Sequence, residues 1–303
     1  MAMPARIPPV LWGLLLWGWA SVCLALSATD DGGATVTLEA PPQRIVSLAP
    51  HTTELLFSLG LGERIVGVSE YSDYPPAARD LPRIGSHDRF DLERILSLQP
   101  DLVVAWQSGS GPDVINRLRD FGLPVFALEP DSLAAVPDDL ERLGRLAGRD
   151  DIARDKASNY RRELARLTQT YRDRSPVRVF YQVWDSPLMT LAGDQYVTDA
   201  IRRCGGRNIF ADLPGKTATV SEEAVLERRP QLILAAGDDT GADLFQRWRA
   251  LGALPAVEYD QLVLLPPDTL SRPTLRLVDG LANLCRAIDG ARQTIHESGD
   301  SST

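Results

Sequence analysis

Short β-rich runs alternate with helix-period segments twice along this chain, on either side of one long amphipathic stretch. That order predicts an α/β protein with mostly parallel sheets. In the first series, strands are expected over residues 45–48, 64–68, 101–105 and 124–128. Helices are expected over 52–59, stopped by Gly60, over 91–98, ahead of Gln99 and Pro100, and over 112–121, stopped by Gly122. The second series opens with a strand over 177–183, continues through helices at 195–203 and 221–228, and returns a strand at 232–235. Between them, residues 151–174 carry Ala153, Ala157, Tyr160, Leu164, Leu167 and Tyr171 at alternating spacings of four and three, one apolar stripe along a helix. Such a helix would run roughly 35 Å. A coiled-coil partner helix competes with this reading, but so short a pattern fits better as a stiff connector between two lobes of one chain.

The length of 303 residues suits about two domains. The divisions expected are a signal peptide over 1–28, an N-terminal α/β lobe over 44–147, a connecting helix over 148–175, a C-terminal α/β lobe over 176–290 and a polar tail over 291–303. The signal reading rests on Arg6 ahead of an uncharged, Leu- and Trp-rich run, followed by small residues at Ala25, Ser27 and Ala28, with cleavage expected near Ser27 or Ala28. An uncleaved membrane anchor is the competing reading. Cys23 raises a lipoprotein, against which Val22 stands where a small residue is needed. Export would leave Cys204 and Cys285 as an even pair in an oxidising compartment, where a disulfide is permitted; two buried free thiols are the alternative. The net charge of −9 argues against a nucleic-acid partner.

A weak internal repeat supports two similar lobes. Residues 91–105 align without a gap on residues 221–235, matching Glu93 with Glu223 and Pro100 with Pro230. Each copy reads as a short helix with an acid in its first turn, a proline that ends it, and a buried strand. Two such lobes joined by a helix imply a cleft, where small-molecule sites are common.

Signs of catalysis are few. Histidine occurs only at positions 51, 87 and 296, too sparse for a multi-histidine metal cage, and neither an HExxH nor a GxSxG pattern is present. Gly215, Lys216 and Thr217 imitate the end of a phosphate-binding loop, but Phe210 stands where its leading glycine must be. No catalytic residue and no cofactor is therefore expected. The aromatic residues are better placed, because ligands of open α/β sheets bind beyond the carboxyl ends of strands. Trp106 follows a first-lobe strand and Trp184 closes a second-lobe strand, a pair suited to opposite walls of a cleft.

The runs RIVSLAPHTTEL from Arg44, YSDYPP from Tyr71, LERI from Leu92 and PDLV from Pro100 resemble the substrate-binding proteins of cobalamin and iron-siderophore ABC importers. The likeness extends from Arg44 to Ile288. With VFYQ from Val179, CGGRNIF from Cys204 and the closing Leu284-Cys285, it is most similar to the cobalamin-binding branch. The resemblance implies two Rossmann-like lobes bridged by one long helix, little hinge motion, and cobalamin held in the cleft. It implies aromatic contacts from Tyr71 and Trp106 and polar contacts from Asp268 and Arg272. Trp184 neighbours a further aromatic position of the family, Met189 replaces another, and His87 stands where a tryptophan is expected. His87 is either a hydrogen-bonded structural residue or a pocket group able to reach cobalt, or haem iron. Glu93 and Glu223 match the acids that meet arginines of the membrane permease; acids that only complement helix dipoles are the plainer account.

The function expected is therefore that of a periplasmic, monomeric, non-enzymatic protein that passes cobalamin to the permease subunits of an inner-membrane ABC importer. Haem or a ferric siderophore is the alternative ligand. An exported enzyme on a similar two-lobed scaffold, and an adhesion or scaffolding protein without a small-molecule pocket, are readings of other classes.

Overall fold

The computed structural model describes residues 25–237, 243–252 and 254–300. The expected signal segment over residues 1–24 lies outside the described residues. An antiparallel hairpin comes first, β1 (Leu26–Thr29) and β2 (Thr35–Leu38), with Leu26 opposite Leu38. The expected cleavage point near Ser27 or Ala28 falls within β1. Ala28 is buried in the N-terminal core with Val36 and Leu38, and Thr29 accepts a hydrogen bond from Arg142 through its carbonyl. Residues 26–28 are thus part of the fold, and cleavage after Ser27 or Ala28 would remove most of β1.

The N-terminal lobe continues through β3 (Ile45–Ser47), α1 (Pro50–Ser58), β4 (Ile65–Val68), the short hairpin β5 (Gly85–Ser86) and β6 (Arg89–Phe90), and α2 (Leu92–Ser97). It ends with β7 (Leu102–Trp106), α3 (Pro112–Asp120), β8 (Val125–Leu128) and α4 (Ala135–Leu146). Strands order as β4-β3-β7-β8, all parallel. Residues 102–105 and 125–128 are buried throughout, the unbroken apolar pattern of strands covered on both faces.

The connector is α5 (Asp150–Tyr171), 22 residues and about 33 Å long. Its buried residues are those of the apolar stripe up to Leu167, with Tyr171 half-buried: Ala153 enters the N-terminal core, whereas Tyr160, Leu164 and Leu167 enter the C-terminal one. One rigid element is therefore anchored in both lobes. It packs closely on α4, where a methyl group added at Gly144 would lie 2.3 Å from Ala153 Cβ, and Arg161 ties it there through Asp138 and Glu141.

The C-terminal lobe comprises β9 (Val177–Trp184), β10 (Met189–Leu191), α6 (Tyr196–Arg203), β11 (Gly206–Asn208), β12 (Thr217–Thr219), α7 (Glu222–Arg228) and β13 (Leu232–Ala236). α8 (Gln246–Leu251), α9 (Pro255–Glu258), β14 (Leu262–Leu265), α10 (Pro267–Ser271) and α11 (Leu277–Asp300) complete it. β11, β9, β13 and β14 run parallel, while β10 and β12 add antiparallel strands on the edge of β9 that β11 shares. The segment expected as a polar tail from residue 291 instead continues α11, with Ala291 and Arg292 buried. A disulfide joins Cys204, at the end of α6, to Cys285 within α11.

The repeat is structural in detail. Asp91 and Ser221 cap α2 and α7 by accepting from the backbone N–H three residues on. Gln99 and Arg229 both take φ 47° at the following turn, and Ile95 and Val225 are the buried residue of each helix. Arg44 donates to the Leu98 and Gln99 carbonyls as Arg178 does to the Arg229 carbonyl.

Candidate functional site

The carboxyl ends of the N-terminal strands meet the C-terminal lobe across a cavity of about 400 Å³, within the range of small-molecule sites. Pro50, His51, Tyr71, Trp106 and Pro130 line it from one lobe. Asp194, Gln195, Tyr196, Lys216, Asp268, Ser271, Arg272 and Pro273 line it from the other.

Each first-lobe contact follows from a strand end. β3 turns directly into α1, with Pro50 in its first turn, where a missing N–H costs nothing. Beneath this turn lies a buried hydroxyl network: Thr53 Oγ1 is within hydrogen-bond distance of Ser47 Oγ and Ser72 Oγ, and Thr52 Oγ1 donates to the Ala49 carbonyl. The network fixes His51 and the loop after β4 that carries Tyr71. Tyr71 takes φ 62°, uncommon for a bulky residue, and is 74% exposed, its ring free to meet a ligand. Such backbone strain clusters at functional sites and costs about 1–3 kcal/mol. Trp106 closes β7 edge-on to His51, ring centroids 5.4 Å apart. Gly109 lets the next loop cross the indole, since a Cβ there would sit 1.9 Å from it.

Two sets of ion pairs tie the lobes together at this cleft. Arg272 Nη1 donates to Glu54 Oε1 at 3.1 Å and Asp73 Oδ1 at 2.7 Å, and Nη2 to the Tyr71 carbonyl at 3.1 Å. Arg276 donates to both oxygens of Glu54, at 2.9 and 2.7 Å, and stacks over Tyr74. Burial pushes the Asp73 carboxyl up, but the hydrogen bond and charge of Arg272 outweigh it and hold the group below the usual carboxylate range. Elsewhere on the cleft, Lys216 pairs with Glu129, which also accepts from the backbone N–H and hydroxyl of Ser108. Burial would raise the Glu129 pKa, and these donors lower it overall. The residues that imitated a phosphate-binding loop thus supply an inter-lobe ion pair.

His51 is buried to 4% exposure. Burial lowers its imidazole to a pKa of about 4, with Glu129 pulling it up and Arg272 pushing it down more weakly. The ring is neutral at physiological pH.

Of the residues singled out from sequence, Tyr71, Trp106, Asp268 and Arg272 come together on the cavity. Asp268 lies 3.6 Å from Arg272. His87 does not join them. It sits at the exposed turn between β5 and β6, beside Asp88 at 3.1 Å, because that short hairpin projects its turn into solvent. Trp184 and Met189 face each other across β9 and β10 and are not among the cavity's lining residues. Trp184 is exposed and donates to the Ser186 carbonyl. Glu93 and Glu223 are exposed at the second position of α2 and α7. Sequence reasoning assigned nothing to His51, although its place in the turn after β3 follows the same strand-end rule that selected Trp106. Gln195, Glu54 and Glu129 carried no local signal, and Lys216 carried only that of an incomplete phosphate-binding loop. Among the described residues, no three His, Cys, Asp or Glu side chains are grouped to hold a metal ion.

A family profile described as periplasmic binding protein matches residues 45–269. A vitamin B12-binding protein of Vibrio cholerae is 37% identical over 246 residues, 81% of this chain and 88% of that protein. The crystal structure of the periplasmic vitamin B12 binding protein of Vibrio cholerae superposes with a TM-score of 0.77 at 36% identity, covering 83% of this chain and 98% of that one. A periplasmic heme-binding protein from Roseiflexus superposes with a TM-score of 0.74 at 27% identity, covering 82% and 98%.

Proposed function

This chain belongs to the periplasmic binding protein family, and on that footing we propose that it captures cobalamin in the inter-lobe cleft and delivers it to an ABC importer. The family is one of solute-binding proteins, not of enzymes, and its place is the periplasm. Cobalamin is then a transported ligand, not a cofactor.

The observation that carries the ligand class is the state of the charged groups around the cleft. Its lining cations are already committed, Lys216 to Glu129 and Arg272 to Glu54 and Asp73, and Asp194 and Asp268 add carboxylates to the lining. Haem propionates and anionic siderophores are held most strongly by free cationic donors. Cobalamin presents a broad corrin face, which suits Tyr71 and Trp106, and a rim of uncharged amides. Asp268 and the remaining edge of Arg272 orient that rim. Trp184, Met189 and His87 are left out of the contact set.

Glu93 and Glu223, exposed at equivalent places in the two lobes, are the docking points for arginines of the permease subunits. The protein works as a monomer, exported by its N-terminal segment and cleaved ahead of Leu26. The ligand assignment is tested by thermal unfolding with cyanocobalamin, hemin or a ferric siderophore added in turn. A ligand at about a hundred times its Kd adds about 2.7 kcal/mol of stability, so cyanocobalamin alone should raise the melting temperature. A rise with hemin or the siderophore instead would reject cobalamin and keep the transport role.

A further inference from the structure

His51 Nε2 and Gln195 Oε1 are both shielded from solvent and have no hydrogen-bond partner. Both residues line the same cavity, His51 from the N-terminal lobe and Gln195 from the C-terminal lobe. An unpaired buried polar atom is costly, and folded proteins retain few. The two side chains belong to opposed walls of a ligand cavity, so a ligand toward which they turn on binding supplies the missing partners and recovers that cost.

The chemistry of the two groups specifies the partner. A neutral imidazole and a carboxamide each carry one acceptor and at least one donor, and neither bears charge. The charged side chains beside them are occupied by one another: Lys216 with Glu129, Arg272 with Glu54 and Asp73.

We infer that His51 and Gln195 form a recognition pair, one residue from each lobe, that hydrogen-bonds uncharged primary amides on the rim of the bound corrinoid. The inference rests on the cobalamin reading above. A primary amide both donates and accepts, so it satisfies an imidazole whichever nitrogen bears the proton, and it meets a carboxamide through reciprocal bonds. An ionised carboxylate offers acceptors only and leaves Gln195 Oε1 unpaired. The pair therefore selects a corrinoid with intact amides over one whose rim amide has been hydrolysed.

The test is calorimetric titration of the exported protein and its His51→Phe and Gln195→Leu variants. The probes are cyanocobalamin and a cyanocobalamin derivative with one rim propionamide hydrolysed to the acid. Each variant should bind cyanocobalamin about tenfold more weakly, and the ligand-free melting temperature should stay level or rise, because the atom removed had no partner. His51→Gln, which restores a neutral donor and acceptor, should recover most of the affinity lost in His51→Phe. The wild type should favour cyanocobalamin over the acid at least fivefold, and Gln195→Leu should narrow that preference. Variants that bind cyanocobalamin within twofold of wild type overturn the inference and leave the cobalamin reading standing. An affinity loss accompanied by a lower ligand-free melting temperature assigns a structural role and also overturns it. A wild type that does not bind cyanocobalamin overturns both.

Discussion

Replacing Glu54 by alanine should loosen the joint between the lobes by a predictable amount. Glu54 is 5% exposed and accepts three hydrogen bonds from two arginines more than 200 residues away in sequence. Breaking a buried ion pair by removing one partner costs about 3–5 kcal/mol, because the other charge stays buried without compensation. The lower end applies here. Asp73 remains on Arg272, and the Arg272 and Arg276 side chains keep 12% and 22% of their exposure, so water relieves part of the loss. With an unfolding entropy of about 2.1 cal/mol/K per residue over roughly 270 described residues, ~3 kcal/mol corresponds to a fall of about 5 °C in melting temperature. Circular dichroism melts of wild type, Glu54→Ala, Arg276→Ala and the double variant would measure this shift and the coupling between the two side chains. Coupling should be at least ~1 kcal/mol for groups in one network. A Glu54→Ala shift below about 1.5 °C with additive single effects would refute the clasp.

Burial depresses the His51 pKa to about 4, against 6.5 when unfolded. The native state thus binds fewer protons than the unfolded state between those values, and stability is lost as pH falls from 6.5 to 4, by roughly 3 kcal/mol. His51→Gln should remove that component from urea-denaturation midpoints, and parallel curves for the two proteins would contradict it. Cys204 and Cys285 are 81 residues apart, a loop whose closure contributes about 4–5 kcal/mol in the chain-entropy account; a Cys204→Ser, Cys285→Ser double variant unfolding within ~1 kcal/mol of wild type would argue against it. Trp106→Ala, which removes an aromatic wall of the cleft, should weaken cobalamin binding by about 2 kcal/mol, and a Kd within twofold of wild type in fluorescence titration would rule out the contact. Glu93→Ala with Glu223→Ala should abolish uptake of radiolabelled cobalamin by cells while leaving its affinity for the purified protein intact; normal uptake would reject permease docking.

Much of the framework was legible because it obeys local periodicity. The stripe from Ala153 to Tyr171 anticipated α5 and its buried face. Gly60, Pro100 and Gly122 marked helix ends to within about two residues, and the aligned repeat anticipated a short helix followed by a buried strand in each lobe. The β1–β2 hairpin was missed because Leu26, Ser27 and Ala28 have the small and apolar character of a processing site. Only their pairing with residues 36–38 places them in the core. The C-terminal lobe overran its expected end at residue 290 because polar residues such as Gln293 continue α11 while Ala291 and Arg292 still pack.

The site divided along a similar line. Tyr71 and Trp106 follow strands that sequence could locate, whereas Arg272 was reached only through the family resemblance. Residues whose role depends on the opposite lobe, Glu54 with Arg276 or Glu129 with Lys216, have no neighbour in sequence to reveal them. His87 was favoured over His51 by position within a resemblance, but a two-residue strand pair turns it toward solvent, while the β3–α1 turn buries His51 in the cleft.

The central claim is that this cleft takes up one cobalamin. Isothermal calorimetry of the exported protein with cyanocobalamin, repeated after saturation with hemin, addresses it most directly. The account predicts one-to-one binding that hemin does not diminish. Absence of cyanocobalamin heat, or its loss once hemin is bound, would contradict it.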